Sequence, residues 1–143
     1  MRWAARRLAG AAFGVAVCLP GASFAQPKVA PEEIDAILSQ SLLEQAAFRT
    51  CAVAANDAET AGFITKGWQL DLGEVADILL KAGYPDNYVR ALKARLDIDK
   101  AAPKFADPAA LTAYCAALGD WQRRRAMLLY SVPQLRINQA LKR

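Results

Sequence analysis

PEEIDAILSQSLLEQAAFRTCAVAA, residues 31–55, decides how the rest of the chain is read. Pro31 suits a first helical position, and Glu32 and Glu33 behind it face the positive end of the helix dipole. Ile34, Ile37, Leu38 and Leu42 then recur at helical spacing, which marks one apolar stripe meant for a core. Ser41-Leu42-Leu43-Glu44 matches a capping box, so the stretch is either one helix or two with a restart at Ser41. In both cases Cys51 lies on a helix beside apolar neighbours.

The same vocabulary continues downstream. Asn56-Asp57 is a turn in which Asp57 can cap a segment from Ala58 to about Leu70, weakened by Gly62 and Gly67. Asp71-Leu72-Gly73-Glu74 is a second capping signature, opening a helix through Val75, Ile78, Leu79 and Ala82 that Gly83 ends. Tyr84-Pro85-Asp86 starts another, with Val89, Leu92 and Leu96 on one face and Arg90, Lys93 and Arg95 toward water. After a polar connection holding Pro103, Asp107-Pro108 caps a helix whose apolar face comprises Leu111, Tyr114, Cys115 and Leu118. Gly119-Asp120 restarts the chain into Trp121 to Tyr130, and Pro133 leaves Gln134 to Arg143 as a short amphipathic tail. No stretch alternates with period two. The fold class expected is all-α, a small single-domain array of five to seven helices.

Upstream, residues 1–25 have the three zones of a secretory signal peptide: Arg2, Arg6 and Arg7, then apolar Leu8 to Cys18, then Leu19 to Ala25 with Ser23 and Ala25 small. Cleavage after Ala25 is expected, leaving a single helical domain over residues 26–143 in the periplasm or outside the cell. An apolar run of about eleven residues is too short for a membrane anchor, which needs roughly twenty. The sequence around Arg6-Arg7 lacks the usual twin-arginine consensus, and Val17 argues against lipid attachment at Cys18. Two cysteines remain after cleavage, and an even pair in an exported chain reads as a disulfide between Cys51 and Cys115, the alternative being two buried thiols.

Charge adds an asymmetry. Cleavage removes three arginines, so 18 basic residues become 15 against 14 acidic ones. Residues 26–122 hold nine of the basic residues and all 14 acidic ones, whereas residues 123–143 hold six basic residues and no acid. Arg123-Arg124-Arg125, between Trp121 and Met127-Leu128-Leu129-Tyr130, cannot all point inward. Trp121, Arg123, Arg124, Arg125 and Arg136 are therefore the candidate binding residues, within a basic C-terminal segment, residues 121–143. The partners they suit are an acidic protein, an anionic envelope surface or, weakly, a second copy of the chain; no nucleic-acid partner is expected. The competing reading is a solvated face paired with the chain's own acids.

Chemistry has little to work with. The chain has no histidine, which removes the commonest general base and metal ligand, and its cysteines stand too far apart for a redox or zinc motif. No cofactor, metal or catalytic residue is expected. Asp71, Glu74 and Asp77 are the remaining acidic constellation, and helix capping accounts for the first two. Glu59 near Thr65 and Trp68 is the other arrangement weighed, without a second carboxylate across a cleft.

Cys51, Ala76 to Gly83-Tyr84, Tyr114-Cys115 and Leu135-Arg136 together resemble a group of short exported bacterial helical proteins of unknown function that carry paired cysteines. The resemblance spans about residues 42–136, lacks a counterpart to the arginine triplet, and implies a helical fold with a bonded cysteine pair but no activity. The function expected is that of a non-enzymatic periplasmic binding or accessory protein. The alternatives are a small chaperone-like, immunity or inhibitor protein, and an enzyme using carboxylates alone.

Overall fold

In a computed structural model describing residues 28–143, α1 (Pro31–Ala54) is one uninterrupted helix. Ser41 does not restart it: its hydroxyl bonds the Ile37 carbonyl one turn back (3.2 Å) and the Ser131 hydroxyl (2.9 Å). The buried stripe Ile34, Leu38, Leu42, Ala46 and Phe48 passes straight through that point, so continuous burial outweighs the local capping option. The chain then turns on Asn56, whose left-handed backbone (φ 57°) closes the helix end.

The next helix, α2 (Ala58–Lys81), starts under an Asp57 cap that accepts from the Thr60 amide (2.9 Å). It unites two segments expected to be separate. Asp71 and Glu74 lie mid-helix and cap nothing, and Gly62, Gly67 and Gly73 are all accommodated. Each glycine costs about 1 kcal/mol relative to alanine in a helix. The unbroken buried face of Ala61, Ile64, Trp68, Leu72, Val75 and Leu79 exceeds that cost at about 1.5–3 kcal/mol per large side chain. Gly83, at φ 90°, ends the helix as expected.

These two long helices pack together and the shorter ones cover them: α3 (Asp86–Arg95) on α2, α4 (Ile98–Ala101) and α5 (Pro108–Ala117) on α1, and α7 (Pro133–Leu141) on both. The α6 helix (Trp121–Ala126) bridges α5 and α7 in sequence. The described residues form seven helices and no strand, in one domain around one core. Buried polar tips are tied off: Trp68 Nε1 donates to the Leu96 carbonyl (2.8 Å) and Tyr84 Oη to the Val29 carbonyl (2.6 Å). Arg49–Asp99 and Arg95–Asp35 ion pairs fasten the 86–101 segment to α1.

Cys51 and Cys115 are bonded, with their α-carbons 5.5 Å apart. Cys51 lies in the core, but Cys115 is only half buried, and none of the α5 side chains is fully buried. The expected buried face of α5 is thus a shallow contact held at one point by a covalent bond. No described helix is long and apolar enough to cross a membrane. The proposed signal peptide, residues 1–25, lies outside the described residues.

Candidate functional site

The basic C-terminal segment begins with an aromatic anchor. Trp121 retains 7% of its exposure and stacks on Phe48, ring centroids 6.2 Å apart, while Tyr130 meets the same ring edge-on at 6.4 Å. Trp121 therefore belongs to the core and presents no ring to a partner. It pins α6, and Tyr130 pins the far end of the following turn, so the helix and turn between them are fixed at both ends.

The three arginines on α6 divide by role. Arg124 forms an ion pair with Glu44 of α1 and lies 5.3 Å over the Phe48 ring. Glu44 also accepts from the Ser131 amide through its other oxygen (2.8 Å), so one carboxylate ties both sides of this helix and turn to α1. Arg125 lies 5.3 Å over Phe63 of α2, a ring that is itself exposed. Arg123 is exposed and has no ion-pair partner among the described residues. Arg136 is half buried and donates to the Ser131 hydroxyl (2.9 Å). Of the five candidate residues, Arg123 thus remains exposed and Arg125 is half buried over the exposed Phe63 ring, while Trp121, Arg124 and Arg136 hold the segment in place. Lys142 and Arg143 add charge at the end of α7, Arg143 reaching Glu33 at 3.6 Å.

The apolar residues after the triplet have a more specific arrangement. The Leu128 amide donates to the Arg125 carbonyl (3.1 Å) and the Leu129 amide to the Arg124 carbonyl (2.7 Å), the two bonds of a Schellman helix end. Its left-handed position is filled by Leu128, at φ 54°. The ends of α1, α2 and α5 put Asn56, Gly83 and Gly119 in that conformation. Leucine there costs about 1 kcal/mol that glycine avoids. Burial of its own side chain does not offset it, because Leu128 is 68% exposed, between Met127 and Leu129 at 57% each. Sequence patterning had marked these residues only as the apolar face of an amphipathic segment. The signal for the turn, a non-glycine residue forced into left-handed backbone, is invisible in residue types alone.

The acidic constellation is partly brought together. The Gln134 side-chain amide on α7 donates to Asp71 (2.6 Å) and to Glu74 (2.9 Å), joining α7 to α2. Burial pushes the Asp71 carboxyl above its ordinary value, the Gln134 hydrogen bond opposes the shift, and the repulsion of Glu74 adds a smaller push upward. Asp77 lies exposed further along the helix. Trp68, the ring near Glu59 in sequence, is buried in the core. Elsewhere a shallow cavity of about 450 Å³ between α1 and the connection to α5 is lined by Arg49, Val53, Pro103, Phe105 and Leu111. Its Arg49 is already engaged by Asp99 (2.6 Å) and Thr65 (2.8 Å), and its Asp107 carboxylate caps α5 through the Ala110 amide (2.8 Å). No family model, curated protein or solved structure matches this chain.

Proposed function

We propose that this chain is an exported, non-enzymatic binding or accessory protein that acts on an anionic component of the cell envelope through its basic C-terminal segment. The three-zone N-terminal sequence and the Cys51–Cys115 bond support export to an oxidising compartment. The observation that carries the binding reading is the helix-turn unit between Trp121 and Tyr130. It is fixed to the body at both ends and by Arg124–Glu44, yet it leaves Arg123 and three apolar side chains in solvent. Rigid display of charge beside apolar surface lowers the ordering cost of association.

The test is association of the purified chain with envelope extract at low salt, since attraction between exposed charges is screened within about 8 Å at physiological ionic strength. Wild-type protein should associate and be released by salt, and Arg123→Glu with Arg125→Glu should weaken association while leaving the far-ultraviolet circular dichroism unchanged. Salt-independent capture, or capture unaffected by the charge reversals, is the result against it.

A further inference from the structure

We infer that the Met127-Leu128-Leu129 turn, flanked by Arg123 and Arg125, is a docking tip for an anionic lipid surface, which deepens the binding reading above by naming the partner. Three consecutive large apolar side chains are each more than half exposed on one helix-terminating turn. A charged protein partner would account for the arginines alone. An anionic bilayer accounts for both features, because its headgroups attract the guanidinium groups while the acyl boundary beneath them accepts the apolar tip. Of the six basic residues of positions 123–143, Arg123, without an ion-pair partner among the described residues, and Arg125, over the exposed Phe63 ring, flank the tip and give it the sign such a surface requires.

Leu128 is the strongest part of the case. A left-handed position with an exposed side chain is where glycine or asparagine is favoured, and the three other left-handed helix ends among the described residues carry those residues. The leucine side chain is kept against the conformational preference of the backbone, and it makes no contribution to the core. A role outside the fold explains it. The anchoring by Trp121, Tyr130 and Glu44 presents the tip without the ordering that a flexible segment would undergo on binding.

The probe is large unilamellar vesicles, either of phosphatidylcholine alone or with about 30 mol% phosphatidylglycerol, and the protein is the chain from Gln26 onward, which contains every described core residue. Wild type should sediment with the anionic vesicles at about 0.05 M salt, be released at about 0.5 M, and bind the zwitterionic vesicles far less. Leu128→Gly and Leu128→Asn both suit left-handed backbone, so both should keep or raise the melting temperature while weakening vesicle binding about tenfold, the factor equivalent to burying part of one leucine. Equal binding by these variants and wild type overturns the inference, as does equal binding to both vesicle types. Salt-sensitive association with envelope extract but not with anionic vesicles overturns it in favour of an acidic protein and leaves the broader binding reading standing. Failure in both assays removes both.

Discussion

Glu44 and Arg124 show at the residue scale how one side chain can be mistaken for another in a charged run. Arg123, Arg124 and Arg125 are equivalent as letters, yet only Arg124 lies within reach of a carboxylate that also holds the Ser131 amide. The pair is shielded by Phe48 beneath it, so it is worth more than a solvated surface pair. Arg124→Ser is expected to lower stability by about 1–2 kcal/mol in urea unfolding, with Arg123→Ser within about 0.5 kcal/mol of wild type. Equal effects would show that Glu44 does not discriminate between them.

Asp71 supplies the pH dependence that belongs to this scale. Its carboxyl is held above the ordinary value of 3.8, so the ionised form is disfavoured in the fold. The stabilisation it gives is present below the ordinary value and is lost as pH rises through the folded one. Asp71→Asn keeps an acceptor for Gln134 and removes the charge facing Glu74. The variant is expected to melt higher than wild type at about pH 7, with the difference closing by about pH 3.5. A difference that grows on acidification would mean that the ionised carboxylate is the favoured form. Asp57, held below its ordinary value by hydrogen bonds from the Thr60 side chain and amide, and Asp97, held below it chiefly by the Asp99 amide, have the opposite sign and lose their contribution in acid.

At the scale of elements, helix identity was legible and helix joining was not. Apolar spacing and the Asp57 and Asp107 caps locate α1, α2 and α5 directly. The restart left open at Ser41 does not occur and the one expected at Asp71 failed, because a capping signature is a local option, whereas the continuous buried faces of α1 and α2 are settled by packing on each other. Within the candidate site, the charge asymmetry marked the segment that carries the exposed Arg123 and the exposed Met127-Leu128-Leu129 turn. The burial of Trp121 and the left-handed turn at Leu128 depend on Phe48 and Glu44, more than seventy residues away in the chain, and no local pattern encodes them.

The α5 helix makes the same point energetically. Its side chains are at most half buried, so its docking rests heavily on the Cys51–Cys115 bond, which closes a span of 64 residues. Such a closure stabilises by about 4 kcal/mol in the chain-entropy picture. Reduction is therefore expected to release residues 108–117 first, seen as accelerated amide exchange there while the α1–α2–α7 core stays protected. Retained protection of α5 after reduction would show that its half-buried face suffices; simultaneous loss everywhere would show that the bond supports the whole core.

Across the whole molecule, the division between segment to be removed and segment to be folded can be compared with where the core begins. The first described core side chain is Val29, and its carbonyl receives the Tyr84 hydroxyl (2.6 Å), closing the N-terminal end of α1 against the end of α2. Tyr88 adds a second tie, to the Pro31 carbonyl (3.1 Å) and to Asp35 (2.9 Å). The proposed cleavage after Ala25 leaves three residues, Gln26, Pro27 and Lys28, ahead of that first anchor. A chain starting at Gln26 is thus expected to retain full stability, whereas one starting at Glu32 loses Val29 from the core and leaves the Tyr84 hydroxyl without its acceptor. Burial of a valine is worth about 1.5–3 kcal/mol and a stranded buried hydroxyl costs about 1–3 kcal/mol, so the shorter chain should unfold about 3 kcal/mol more easily. Urea unfolding of the two chains measures the difference, and intact-mass measurement of exported protein should find Gln26 at its start. Equal stability would show that α1 is not closed through Val29; an exported mass beginning beyond Val29 would place processing inside the fold and contradict the boundary.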